Sequence, residues 1–235
     1  GGGFGSSGLF VFRWASQSVS VLAGYVSFIG ALMVWGWHEI GFLTGAAAGP
    51  RREPASPGLA GARRFAEASA TVIHREVLLA LTALLLISLS WNLPNQIGAT
   101  EFVLMFAMRL ASKINIFVGV PNSSLEMLPP HLDYLKTYFG RSRMTWLLTG
   151  SLLAITAIAL WFGSLALQAP LGSPEMVGAS LLTTLCLLGA LEHIFLALPF
   201  RDGMLWGWAF RNRVERAEAT ASIPLTPTKF VDSND

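Results

Sequence analysis

Long apolar runs dominate this chain, and short groups of turn-forming residues separate them. A helix that crosses the hydrocarbon core of a bilayer needs about 20 mainly apolar residues. Five runs approach or exceed that length and predict five membrane-spanning helices. The LPNQ string at 93–96 predicts a tight turn between the second and third, because Pro and Asn favour turns. The predicted spans are residues 19–43, 77–93, 97–120, 145–167 and 176–200.

The segments outside these runs have weaker patterns. Residues 1–12 are apolar but lack an initiator Met and a basic stretch, which predicts the tail of a helix that begins before this chain. Residues 122–139 and 201–216 combine aromatic, basic and apolar positions, as do segments at a membrane surface. Residues 217–235 are polar and predict a disordered tail. The predicted fold is all-α: one transmembrane domain over residues 1–216, a polytopic helix bundle of five full spans plus a partial N-terminal helix.

Composition agrees with a membrane location. Hydrophobic residues make up 53% of the chain and charged residues only 13%, about half the charged fraction of a soluble domain. A globular core cannot bury so much apolar sequence, so the excess is expected to face lipid. The net charge of +2 gives no reason to expect a nucleic-acid partner. The single cysteine, Cys186, lies in an apolar run and predicts a small buried residue.

Basic residues are segregated among the predicted loops. Lys and Arg occur between the first and second spans, between the third and fourth, and after the fifth, whereas 94–100 and 168–175 have none. Because basic loops stay on the cytoplasmic side, this pattern predicts cytoplasmic basic loops and a cytoplasmic C-terminus. Arg13 is the exception, since this topology places it outside. Residues 46–61, in the first basic loop, are rich in Ala, Gly, Pro and Arg and predict irregular structure.

Ionisable residues interrupt the predicted spans. Such groups are costly in hydrocarbon, so each suggests a functional hypothesis. From the rise of 1.5 Å per residue, His38 and His193 lie about 9–10 Å below the cytoplasmic surface, and most of the other residues share this cytoplasmic half of the membrane as one polar layer. Glu101 is the exception and lies near the outer end of its span. The members of this polar layer are His38, Glu39, His74, Glu76, Arg109, Lys113, Glu192 and His193.

One hypothesis for this layer is purely structural. Intramembrane charges usually pair with one another, and such pairs fix the register of neighbouring helices. Glu39 or Glu192 would then neutralise a cation of the third span. The candidate cations are Arg109 and Lys113.

A second hypothesis is pigment binding. A neutral imidazole on a buried helix ligates a haem iron or a bacteriochlorophyll magnesium from one face. His38 and His193 are the candidate axial ligands, and His74 is a further candidate for cofactor binding. The aromatic residues beside them would supply flat apolar contacts.

Two further hypotheses have less support. Three His and three Glu match the ligand inventory of a di-iron carboxylate enzyme. However, His38-Glu39 and Glu192-His193 are adjacent pairs, which do not place two ligands on one helix face. A transporter would be expected to have an internal repeat or broken helices, and the sequence suggests neither. We therefore expect no catalytic residue, no metal site and no enzymatic activity.

Several strings along the chain are unusual enough to identify a relationship. The strings are VWGWHE (34–39), FLTG (42–45), GPRR (49–52), HRE (74–76), WNLPNQ (91–96), KINIFVGVPN (113–122), LPPHL (128–132), YLKTYF (134–139), LEH (191–193) and LP (198–199). Together they resemble the photosynthetic complex assembly protein family of purple phototrophic bacteria, of the PuhE type, over residues 18–208.

The resemblance implies a multi-pass protein of the bacterial inner (intracytoplasmic) membrane, encoded with the reaction-centre H subunit. It implies a role in assembling the reaction centre and its light-harvesting complex. The implied partners are membrane lipids, reaction-centre and antenna polypeptides, and bacteriochlorophyll-synthesis proteins. A carrier of bacteriochlorophyll or a precursor tetrapyrrole, or an accessory subunit of a bacteriochlorophyll-synthesis enzyme, stays open as an alternative. Family members extend further at the N-terminus, which agrees with residues 1–12 as the end of an earlier helix.

Overall fold

The computed structural model describes residues 2–44, 49–123 and 130–198, and this part of the chain contains helices and no strands. The prediction of an all-α fold is confirmed. A 3-10 helix, Pro130–Tyr138, lies between the fifth and sixth α-helices. The α-helices are α1 (Gly2–Ala15), α2 (Val21–Leu43), α3 (Gly61–Ala70), α4 (Ile73–Ser90), α5 (Ile97–Val118), α6 (Trp146–Gln168) and α7 (Pro174–Ala197).

Within the described ranges, four helices are long and apolar enough to cross a membrane: α2, α4, α6 and α7. They correspond to the first, second, fourth and fifth predicted spans. The third predicted span is also one continuous helix, α5, but Glu101, Arg109 and Lys113 make it more polar than the other four. The structure therefore supports a multi-helix membrane protein, and the count of five full spans is not confirmed.

Helix boundaries differ most from the predictions around α4. The helix begins at Ile73, four residues before the predicted start at 77, and it ends at Ser90. His74 and Glu76 therefore lie in its first turn. At α6 and α7 the starts follow capping side chains. Thr145 accepts a hydrogen bond from the Leu148 amide, and Ser173 accepts one from the Met176 amide.

The first basic loop contains a helix that the sequence analysis missed. Residues 49–60 are irregular, as predicted, but α3 follows directly. Its ten residues bury no side chain fully and are mostly small or charged, so no long apolar run marked this helix. We refer to residues 49–70 together with the 3-10 helix as the loop cap.

Polar contacts hold the loop cap together. Arg51 donates a hydrogen bond to the Tyr138 hydroxyl at 2.7 Å and lies 3.3 Å from the Glu67 carboxylate. The Ser56 amide and hydroxyl both donate to Glu67, and with the Arg51 charge they lower the pKa of this carboxyl. The loop is thus tied to the 3-10 helix far along the chain.

The predicted N-terminal helix is present as α1, which continues to Ala15 and packs along α2. The two backbones approach closely at Gly30. A Cβ atom there would lie 2.9 Å from the amide nitrogen of Phe12 and 3.1 Å from its Cα. Small residues allow this kind of close approach between membrane helices.

Helix α5 occupies the centre of the described bundle and contacts α2, α4, α6 and α7. Its Phe102 joins a core cluster with α1, α2 and α4, and its Met108 joins a second cluster with α6 and α7. The buried side chain of Asn95 fixes its N-terminus by donating to the carbonyls of Ala15 and Ala23. Charges on α5 therefore lie among other helices.

Part of the predictions lies outside the described residues. These are the interfacial segment 201–216, the disordered tail 217–235 and part of the interfacial segment 122–139. The described portion of the last segment is the 3-10 helix, with Leu132 and Tyr138 buried.

Candidate functional site

Five members of the polar layer, together with Arg75, form ion pairs that join four helices. Glu39 of α2 pairs with Arg75 of α4, and Glu76 of α4 pairs with Lys113 of α5. Arg109 of α5 pairs with Glu192 of α7 at 3.6 Å. We call these six residues the charge layer.

Arg75 is the member that the sequence analysis assigned wrongly. It was counted among the loop cations, but its side chain is only 1% exposed. The early start of α4 explains the difference, since it brings Arg75 into the helix. The residue also lies over the Phe42 ring, with its guanidinium carbon 4.6 Å from the ring centroid. The spacing of Arg75 with the buried Leu79, Ala83 and Leu86 is a helical signal that could have identified it.

Charge in this layer is balanced, with three carboxylates facing three cations. Glu39 pairs with Arg75 and not with the third-span cations considered above. Several buried polar atoms still have no hydrogen-bond partner among the described residues. They are Arg75 Nε and Nη1, Glu76 Oε2 and Arg109 Nε.

The two candidate axial histidines have different surroundings. His38 is buried, and its Nε2 lies 2.9 Å from the Thr82 hydroxyl, so that nitrogen already has a partner. His193 is fully buried and its Nδ1 lies 2.9 Å from the Gly189 carbonyl. Nδ1 is then the protonated nitrogen, and Nε2 has no partner within the described part of the chain. His74, the third candidate, has an exposed side chain in the first turn of α4.

No group of three His, Cys, Asp or Glu side chains suited to a metal ion occurs within the ranges that the structure describes. The charge layer instead places each of its carboxylates against a cation. Glu101, the outlier near the other end of α5, is fully buried. Neither of its carboxyl oxygens has a hydrogen-bond partner among the residues described.

Two cavities meet at Arg109. One, of about 500 Å³, lies between α5 and the loop cap, with Phe42, Lys113 and Phe139 among its lining residues. The other, of about 340 Å³, lies between α2, α5 and α7. Its lining residues are Trp35, Glu39, Met105, Met108, Arg109, Leu185, Leu188, Gly189 and Glu192.

The second cavity, which we call the Arg109 cleft, exposes an ion pair. The Arg109 side chain is 41% exposed and that of Glu192 is 43% exposed. Ser112 donates a hydrogen bond to the Glu192 carboxylate at 3.0 Å. Met105 and Met108 line the cleft beside them and offer flexible, polarizable contacts.

Comparison with known proteins gives two matches. The model of a protein family of unknown function, DUF3623, matches residues 3–217. A curated relative from Rhodobacter capsulatus is 34% identical over 208 residues, which is 88% of this chain and 75% of the relative. It is named "Uncharacterized 30.4 kDa protein in puhA 5'region". No solved structure matches. On the extent of the family match, this chain belongs to the DUF3623 family.

Proposed function

We propose that this protein is an integral membrane assembly factor for the bacterial photosynthetic reaction centre and light-harvesting complex, of the PuhE type. The supporting observation is the relative named for the 5′ region of puhA, which aligns with 88% of this chain. The family that the sequence strings resemble is encoded with the reaction-centre H subunit, which agrees with that gene position.

The geometry favours a scaffold over an enzyme. The six members of the charge layer form ion pairs between helices, and such pairs fix helix register without chemistry. A catalytic site would be expected to keep titratable groups facing a substrate cavity. In this layer the most accessible charges, Arg109 and Glu192, line the Arg109 cleft but are already paired with each other.

The proposal includes a topology. Although α5 has three charged residues, Arg109 and Lys113 each have a carboxylate partner from a neighbouring helix. A paired charge inside a bundle costs much less than one facing lipid. We therefore propose that α5 also crosses, which gives five full spans in the inner membrane, with the basic loops in the cytoplasm.

The Arg109 cleft is the proposed contact for a partner polypeptide. An ion pair that is about two-fifths exposed would be costly to leave against lipid tails. A partner transmembrane helix with a polar side chain would cover the exposed part of this pair and would donate to, or accept from, its accessible charged groups. Reaction-centre and antenna polypeptides span the membrane as such helices.

Affinity purification from phototrophically grown cells tests this function. The wild-type chain should recover reaction-centre, antenna or bacteriochlorophyll-synthesis proteins. The double variant Arg109→Met/Glu192→Gln removes the pair without leaving one charge alone, and its recovery should fall on the order of tenfold, as for loss of a hot-spot contact.

The matched control is Asp133→Asn/Lys136→Met, which removes a pair of the same kind in the loop cap. Its recovery should equal that of the wild type. Recovery of no photosynthetic protein by the wild-type chain would contradict the function, whereas equal recovery by both double variants would contradict only the contact site.

A pigment carrier is the second candidate, and His193 is the observation in its favour. Its Nε2 is free of protein partners among the described residues and has the character of an axial ligand. However, the side chain is fully enclosed and lines neither cavity at Arg109. A macrocycle would therefore require α7 to move away from its neighbours.

An absorption spectrum of the protein purified in mild detergent from pigmented cells distinguishes the two functions. A carrier predicts bound pigment that is lost in His193→Phe and kept in His74→Phe, whose side chain is exposed. A colourless wild-type preparation would reject the carrier.

A further inference from the structure

Three arginines surround a small cavity next to the loop cap. The cavity has a volume of about 260 Å³ and lies where α5 ends and the chain turns toward α6. Its lining contains no carboxylate among the residues that the structure describes. The lining residues are Arg64, Val118, Phe139, Gly140, Arg141 and Arg143.

Neutral groups hold Arg64 in place. Its Nη2 donates hydrogen bonds to the carbonyls of Tyr138 and Phe139, at 2.6 and 3.2 Å. Its guanidinium carbon lies 4.4 Å from the centroid of the Phe117 ring. These contacts order the side chain, and because none of the partners is an anion, they do not neutralise its charge.

Backbone packing sets the position of the other two arginines. The Gly140 amide donates to the Ile116 carbonyl at 2.9 Å, which ties this segment to the last turns of α5. The Ser142 hydroxyl, between Arg141 and Arg143, donates to the Pro121 carbonyl at 3.0 Å. Neither arginine forms a salt bridge within the described ranges, so the cavity faces three cations on a fixed backbone.

The cavity lies where a membrane-spanning helix begins. Met144 is 58% exposed and Trp146, the first residue of α6, is 92% exposed. Large apolar side chains at the end of an apolar helix are typical of the membrane interface, where Trp is enriched. The arginines that immediately precede them are therefore at the level of lipid headgroups.

We propose that this arginine cavity binds the phosphate of an anionic phospholipid headgroup. Guanidinium groups match phosphate oxygens with paired hydrogen bonds. Basic pockets beside transmembrane helices at the membrane surface are known settings for anionic headgroups. Trp146 and Met144 are exposed next to these arginines, and they favour a lipid over an acidic protein segment as the ligand. A lipid whose phosphate lies in the cavity would place its acyl chains against these apolar side chains.

Binding of the purified full-length chain in mild detergent to phosphatidylglycerol and to phosphatidylcholine tests this site. The variant Arg141→Gln/Arg143→Gln changes two exposed side chains and leaves the buried contacts of Arg64 intact. Its dissociation constant for phosphatidylglycerol should rise on the order of tenfold or more, since each basic residue contributes to the attraction. Added salt should weaken wild-type binding.

The matched control is Arg63→Gln/Lys136→Gln, which also removes two positive charges but at other positions of the loop cap. It should change the dissociation constant for phosphatidylglycerol by less than about twofold. Equal loss in both variants, or equal binding of the two lipids by the wild type, would overturn the site. Binding of inorganic phosphate as tight as that of phosphatidylglycerol, or tighter binding of an acidic peptide than of phosphatidylglycerol, would overturn the lipid as its ligand. These results do not depend on the proposed assembly function.

Discussion

At the scale of single residues, Arg75 shows how much a membrane protein depends on pairing. It is the largest of the fully buried side chains in the described part of the protein, and its carboxylate partner is Glu39. Most members of the charge layer could be predicted, because ionisable residues within or beside an apolar run stand out in the sequence. Arg75 was not predicted to belong to the layer, because that depends on where α4 begins. The basic loop before α4 made this helix boundary difficult to predict.

The substitution Glu39→Gln should lower the free energy of unfolding by about 3 kcal/mol, because it leaves the buried Arg75 charge without an anion. Adding Arg75→Met should restore part of that loss. Asp133→Asn breaks a pair whose side chains are 56% and 35% exposed and should cost less than about 1 kcal/mol. Unfolding in mixed detergent micelles measures all three, and equal losses for Glu39→Gln and Asp133→Asn would refute the buried pair.

Glu67 gives the loop cap a dependence on pH. Hydrogen bonds from Ser56 favour the carboxylate and lower the pKa of Glu67 below the ordinary value of 4.5. A lowered pKa stabilises the folded cap above that ordinary value, and this contribution is lost as the pH falls through the folded pKa. The hydrogen-exchange protection of residues 49–60, relative to the intrinsic rate at each pH, should therefore fall in acid below pH 4.5.

The variant Glu67→Gln should show faster exchange already at neutral pH and a smaller acid step. Glu53→Gln is the control, because Glu53 is 78% exposed and lies 3.7 Å from Arg51. An unchanged acid step in Glu67→Gln would exclude Glu67 as its origin.

At the scale of helices, the lengths of the apolar runs predicted the long helices and did not predict α3. Helices α6 and α7 begin close to the predicted positions, where Thr145 and Ser173 cap their N-termini. The short α3 lies outside the apolar runs, and it contacts the 3-10 helix far along the chain through Arg64 and the Tyr138 carbonyl. Close backbone packing at Gly30 likewise depends on a partner helix.

Gly30 provides a test of the packing between α1 and α2. The substitution Gly30→Ala should destabilise the protein by about 1–3 kcal/mol, because the new Cβ is forced against a neighbouring backbone. Gly150 is the matched control, a helical glycine with no atom within 4 Å of an added Cβ. Gly150→Ala should be neutral or stabilising by up to about 1 kcal/mol. Thermal unfolding in detergent compares them, and equal stability of the two variants would disprove the close contact.

At the scale of the whole molecule, composition and basic loops predicted a membrane protein. The number of spans depends on α5, whose two cations, Arg109 and Lys113, are partnered by carboxylates of other helices. A count of charged residues within one segment does not show that neutralisation, because the partner carboxylates lie far away along the chain. The Arg109 cleft was not predictable for the same reason, because three separate helices form it.

Topology can be measured by labelling single cysteines in a Cys186→Ser background. If α5 crosses the membrane, Trp91→Cys and Leu171→Cys should react with an impermeant reagent from the periplasmic side. Ser142→Cys should react only after permeabilisation. All three side chains are exposed in the structure, so access depends on the side of the membrane. Reaction of Trp91→Cys and Ser142→Cys from the same side would contradict a spanning α5.

The central claim is that this chain assists assembly of the photosynthetic complex. Its most direct test is the near-infrared absorption of membranes from a deletion strain of the phototrophic host. The account predicts that reaction-centre and antenna bands fall on deletion, that wild-type protein restores them, and that no bacteriochlorophyll precursor accumulates. Unchanged bands in the deletion strain, or an accumulated precursor that points to pigment synthesis, would contradict it.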